Sequence, residues 1–145
     1  MNIDPNALVI TRDEIAIAAA PERVWELFTD VNAWPEWQSE ISSGSLDGPL
    51  ALGSTIIWST AGLEIASTVG EFIPGERIVW SGLARGIMGI HVWTFAPADG
   101  GTLVHTEESW DGASVRPQIG VMQPALDRSI RFWLESLKAA AEREL

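Results

Sequence analysis

Residues Met88 to Trp110 read MGIHVWTFAPADGGTLVHTEESW: strand alternation, a turn at Asp99-Gly100-Gly101, and strand alternation again. The spacing predicts a β-hairpin. His91, Trp93 and Phe95 take every second position of the first arm, and Val104, Thr106, Glu108 and Trp110 do so on the second, so each set shares one face of its strand. The residues between them, Val92, Thr94, His105, Glu107 and Ser109, are on balance more polar and are expected to look outward. The inner face is therefore wide and aromatic, yet it holds one histidine and one carboxylate. Such a pair is either a polar spot in a ligand cavity or a satisfied pair in a core.

The same punctuation extends back from the hairpin. Short β runs are expected near Glu40–Ser45, Ser54–Ser59, Leu63–Ile73, Arg77–Leu83, Met88–Ala96 and Thr102–Trp110, broken at Gly48-Pro49, Ala61-Gly62, Pro74-Gly75 and Arg85-Gly86. No helical crossover separates them, so neighbours should pair antiparallel. Alternation points Ile56, Trp58, Ile65, Ser67, Val69, Ile78 and Trp80 inward, and Leu63–Ile73 is long enough to hold a bulge. Ahead of this meander, Ala7–Ala18 reads as a first strand. Pro21 and Glu22 open a short helix with Val24, Leu27 and Phe28 as its apolar stripe. A second short turn follows through Asn32–Trp37, with Pro35 early enough to be tolerated.

Beyond Trp110 the period changes. Ile119, Met122, Leu126, Ile130, Trp133, Leu137 and Ala141 recur at spacings of three and four, which predicts a long amphipathic helix starting at Pro124 or starting near Val115 with a kink. Asp127 with Arg131, and Arg131 with Glu135, are spaced to pair across one turn, each worth about 0.2–0.5 kcal/mol. The apolar face of this helix needs a large partner, and the inner face of the curved sheet is the one available. The expected architecture is α+β: about seven antiparallel strands wrapped around a long C-terminal helix, with two short helices after the first strand.

Composition narrows the function classes. At 145 residues and 46% hydrophobic, the chain fits a single domain, 1–145, with a substantial core. It has no cysteine, which excludes a disulfide scaffold and thiolate chemistry and suits a reducing compartment, so a cytoplasmic location is expected. Neither a signal segment nor a run of about eighteen apolar residues is read in it, so no membrane insertion is expected. With 20 acidic against 9 basic side chains, a net charge of −11 repels phosphate backbones, and nucleic acid is not an expected partner. Eight tryptophans without a tyrosine supply rigid apolar surface that fills a core or lines a cavity.

Four further pieces carry a family resemblance along nearly the whole chain: Ala20-Pro21-Glu22-Arg23-Val24-Trp25, the segment Asp30 to Trp37, Pro74-Gly75-Glu76-Arg77-Ile78-Val79-Trp80, and Glu108-Ser109-Trp110-Asp111-Gly112. In that order, with strand, two short helices, meander and long helix, the chain resembles the START-like or SRPBCC superfamily of helix-grip proteins. It looks most like the bacterial polyketide cyclase or dehydrase members. The resemblance implies a hydrophobic pocket between sheet and helix and lipid or other small-molecule binding. Similar chains include carriers, cyclases and aromatases, and chaperone regulators, so it leaves the chemistry open.

The residues themselves keep two functions in play. One is a protein that binds a small hydrophobic molecule, aromatic or polyketide-like, in an internal cavity. The other is a cofactor-free cyclase or aromatase using His91 and Glu108 as an acid–base pair, a role their placement on one face of adjacent strands permits. The structural alternative, a satisfied core histidine and a bonded carboxylate, is favoured on sequence alone because perturbed buried pairs are often structural. Candidate ligand contacts are Trp58, Ser67, Trp80, Arg85, Met88, Trp93, Thr106, Trp110, Met122, Leu126, Ile130 and Trp133. Two histidines on opposite faces without a cysteine make no metal site. No hydrolase elbow or phosphate-cradling loop is present, no cofactor is expected, and the chain is read as a monomer or homodimer.

Overall fold

A computed structural model of the protein describes residues 1–143. Strand β1 (Val9–Ile17) leads into α1 (Pro21–Thr29), a 3-10 turn (Val31–Ala33) and the single-turn α2 (Trp34–Trp37). The meander follows as β2 (Ile41–Ser45), β3 (Thr55–Thr60), β4 (Leu63–Ile73), β5 (Arg77–Ala84), β6 (Ile87–Ala98) and β7 (Gly101–Asp111). A 3-10 turn (Arg116–Gln118) then opens into α3 (Ile119–Ala141). The strands form one antiparallel sheet of seven in the order β1-β7-β6-β5-β4-β3-β2, curled around α3 in a helix-grip arrangement.

Local chemistry sets the hairpins. Ala61-Gly62, Arg85-Gly86 and Asp99-Gly100 each place two successive residues at positive φ, the backbone of a two-residue turn whose twist matches the flanking strands. Asp99-Gly100 thus pairs Ala98 with Gly101, and the opening hairpin is longer than its alternation alone marked. Register shifts between Ile41 and Ser43 and between Val69 and Glu71 add the extra residues that bend a sheet.

The concave face packs on α3 through Leu126, Ile130, Trp133, Leu134 and Leu137, all buried. Phe28 of α1 is the aromatic hub, its ring centroid 4.5 Å from Trp93, 5.2 Å from Phe95 and 5.9 Å from Trp80. The helix is tied to β1 by polar contacts: Thr11 donates to Asp127 at 2.6 Å, Gln123 donates to the Ile10 carbonyl at 2.9 Å, and Arg131 reaches Asp13 at 3.2 Å. At its far end Arg23 donates to the Ala141 carbonyl at 2.8 Å, satisfying a helix-terminal acceptor.

Three expectations change. Asp127 and Arg131 do not pair with each other, because β1 offers each a partner across the interface; Arg131 still meets Glu135 at 3.1 Å. The helix begins between the two anticipated starts, with Pro124 in its second turn; the proline withholds its bond from the carbonyl of Gly120, which is exposed. The convex face is not wholly wet: Ile3 packs on Val79 and Val92, and Ser109 is buried there, accepting from the Asp4 amide at 3.1 Å.

Candidate functional site

The aromatic hub fills only part of the space between sheet and helix. Toward the β3–β4 and β5–β6 turns lies a cavity of about 550 Å³, within the range of small-molecule sites. Its walls carry Trp58, Trp80, Trp110 and Trp133, with the exposed Glu40, Ala61 and Arg85 on its rim. Two glycines stand in its wall. Gly82 and Gly89 are directly opposite each other on β5 and β6, so the sheet presents bare backbone to the cavity there.

The two glycines are not equivalent. A Cβ at Gly82 would lie 2.4 Å from the Ala66 carbonyl oxygen, whereas one at Gly89 would make ordinary contacts at 3.6 Å with Trp110 and 3.7 Å with Glu108 Oε2. Gly82→Ala is therefore expected to destabilise the fold by roughly 1–3 kcal/mol in urea denaturation, and Gly89→Ala to leave it nearly unchanged. Equal losses at the two positions would contradict this account.

His91 and Glu108 face one another in register across β6 and β7, which selects the directly opposed of the two pairings their parity allows. His91 Nδ1 lies 3.3 Å from Glu108 Oε1. On the other side of the ring, Nε2 lies 2.9 Å from Thr106 Oγ1, and that hydroxyl donates to the Val92 carbonyl at 2.8 Å. Because the threonine's one hydrogen is committed to Val92, Nε2 must be the donor to Thr106, and the neutral ring presents a lone pair at Nδ1. Burial lowers the His91 pKa to about 3, so the ring is neutral at physiological pH.

A lone pair at Nδ1 needs a hydrogen from its neighbour, and Glu108 has one to give. Burial raises its pKa to about 7, opposed by the Trp110 indole, which donates to Oε2 at 2.9 Å. Trp110 donates to Glu108, His91 Nε2 to Thr106 and Thr106 to Val92, and Glu108 Oε1 stands 3.3 Å from the Nδ1 lone pair. Glu108 keeps 18% of its side chain accessible and lines the cavity, while His91, at 3%, forms the wall behind it.

Of the residues singled out from sequence, Trp58, Ser67, Trp80, Arg85, His91, Glu108, Trp110 and Trp133 line this cavity. Six do not. Met88 is out of phase with His91 and projects from the convex face, 43% exposed. Trp93 is sealed into the aromatic hub, and Leu126 and Ile130 are consumed by helix–sheet packing. Met122 packs at the core's edge, and Thr106 sits fully buried behind His91, hydrogen-bonded to its ring. Gln38, Glu40, Gly82, Gly89 and Ser129 line the cavity and were not singled out. The paired glycines carried a usable signal, since both sit at inward parity. No cluster of three metal-ligating side chains occurs among the described residues, and no helix there is long and apolar enough to cross a membrane.

Comparison with known proteins bears on this arrangement. The sequence profile of the family described as polyketide cyclase / dehydrase and lipid transport matches residues 9–142. A hypothetical protein from Helicobacter pylori superposes with a TM-score of 0.84 at 19% identity, over 98% of each chain. A START superfamily protein from Mycobacterium smegmatis gives 0.73 at 14% identity, over 92% of this chain and 97% of that one. One aromatase/cyclase di-domain protein, BexL from the BE-7585A biosynthetic pathway, gives 0.76 at 21% identity, over 97% of this chain and 52% of its own. At these identities the likeness is one of fold. Among curated proteins, none matches the sequence.

Proposed function

We propose a function from the premise that the chain belongs to the polyketide cyclase / dehydrase and lipid transport family: it binds a small, largely apolar molecule, aromatic or polyketide-like in shape, between the sheet and α3. The observation that carries this reading is the hollow itself, about 550 Å³ walled by four tryptophans and floored by the Gly82–Gly89 pair. Indole rings give extensive flat contact at little conformational cost, which suits a planar ligand. Native mass spectrometry of the protein purified from its own host is expected to show a co-purifying small molecule released on unfolding. Gly89→Val, which puts methyl groups into the hollow, should fold normally and lose that mass; retention of the mass would place the ligand elsewhere.

The His91–Glu108 contact supports a second reading, cofactor-free acid–base chemistry on a carbonyl compound. A carboxyl group titrating near neutrality beside a neutral imidazole can take up and return a proton at physiological pH. Deuterium exchange at the acidic methylene of 2-tetralone, followed by NMR at pH 7.5, is the test. The wild type is expected to exceed Glu108→Gln by about 10²-fold, the lower end of general acid–base contributions. Equal rates would leave binding as the sole function.

A further inference from the structure

We infer that the ligand carries a hydroxyl group, alcohol or phenol, which donates its hydrogen to Glu108 Oε2 across the bare backbone of Gly89. The inference rests on reading the cavity as a ligand site and adds the polarity of what enters it. Each hydrogen on the inner wall can be assigned. Thr106 gives its hydrogen to Val92 and accepts from His91 Nε2, so Nδ1 is an acceptor, and the hydrogen of the neutral acid is assigned to Oε1, 3.3 Å from it. That hydrogen is spent on the protein. Oε2 accepts one from the Trp110 indole and keeps a second lone pair. The acid group thus turns an acceptor, and no donor, toward the hollow.

Access to that lone pair depends on the glycine. The position of the missing Gly89 Cβ is 3.7 Å from Oε2 and 3.6 Å from Trp110 Cδ1, so any side chain there would stand where a ligand oxygen must approach. The other deeply buried polar groups have the opposite sense. Gln38, 2% exposed, uses its Oε1 to accept the Glu40 amide at 2.7 Å, and its amide nitrogen has no partner among the described residues. Ser67, also 2% exposed, accepts from the Trp58 indole at 3.1 Å, and its own hydrogen has no acceptor among those residues. Gln38 and Ser67 can therefore also donate to ligand oxygens that accept, whereas Glu108 has only an acceptor left to offer. Sites that hydrogen-bond a substrate hydroxyl reject analogues lacking it far more strongly than apolar pockets discriminate by size.

Titration calorimetry at pH 6 with 2-naphthol and 2-methoxynaphthalene, which share a ring system but differ in the hydroxyl hydrogen, tests the assignment. The wild type is expected to bind 2-naphthol at least about tenfold more tightly. Glu108→Gln should keep that preference, because its amide can donate to His91 and still accept at the second oxygen. Glu108→Leu should lose it, the two compounds then binding alike. Equal affinities in the wild type, or loss of the preference in Glu108→Gln, would overturn the hydroxyl assignment while leaving the ligand site standing. No binding of either compound would overturn the ligand-site reading and this inference with it. If Glu108→Leu fails to fold, the wild-type and glutamine measurements decide.

Discussion

Glu108→Gln is expected to be more stable than the wild type at pH 7.5, by about 3 kcal/mol. The carboxyl is held neutral in the folded protein up to about pH 7, against 4.5 when free. Folding therefore takes up a proton between these values, and the stabilisation present below pH 4.5 is lost as pH rises to about 7. At about 1.4 kcal/mol per pH unit the loss amounts to about 3 kcal/mol, and the glutamine amide, a fixed stand-in for the neutral acid, does not incur it.

His91 titrates with the opposite sign. Its folded pKa of about 3 lies below the free value of 6.5, so stability from this group rises with pH across that interval. Between pH 4.5 and 6.5 the unfolded chain holds a proton on His91 and the folded chain holds one on Glu108. The two slopes cancel there, and the pair contributes a plateau. In Glu108→Gln only the histidine slope remains, so the variant should gain about 1.4 kcal/mol per pH unit over the wild type through that window. Urea denaturation at pH 4, 5, 6 and 7.5 measures the difference directly. A variant less stable at pH 7.5, or a difference that does not move with pH, would show that Glu108 is ionised in the folded state.

The meander strands and the long helix were legible because each rests on a repeat of one residue type, period two in the strands, three and four in the helix, whereas the pairing of β1 with β7 has no such repeat to announce it. The facing of His91 and Glu108 was legible to the same degree, since parity survives any even shift of register. What parity could not give is where the room inside is filled. Leu126 and Ile130 share a helix face with Trp133, yet only Trp133 reaches the hollow, because its ring is long enough to leave the packed seam. Gln38 and Glu40 follow a single helical turn with no period to read, so nothing in the sequence aims them at the cavity. Met88 is a different case: its parity relative to His91 already pointed outward, and its size suggested a wall where alternation excluded one. That Gly82 and Gly89 meet as cross-strand partners in the cavity wall is a fact of register rather than of composition.

The hydrogen-bond direction proposed for the inner wall has one hinge, Thr106. Its hydroxyl cannot serve as donor to both Val92 and His91, and the short contact to a carbonyl decides which it serves. Thr106→Val is expected to invert the histidine. With no acceptor at Nε2, the neutral ring moves its hydrogen to Nδ1, where it donates to Glu108 Oε1 instead of accepting from it. An ionised Glu108 then gains a hydrogen bond it lacks in the wild type, so its pKa should fall below about 7. Leaving Nε2 without a partner in a buried setting should cost about 1–3 kcal/mol. Imidazole ¹⁵N shifts at pH 6 distinguish the two tautomers, and Thr106→Ser, which keeps the hydroxyl, should behave as the wild type. The two substitutions should also couple: in the Thr106→Val background the gain from Glu108→Gln at pH 7.5 should shrink, because an acid that ionises more readily no longer needs replacing. Full additivity, or an Nε2–H ring in Thr106→Val, would mean that the threonine does not orient the histidine and that the polarity assigned to Glu108 lacks its foundation.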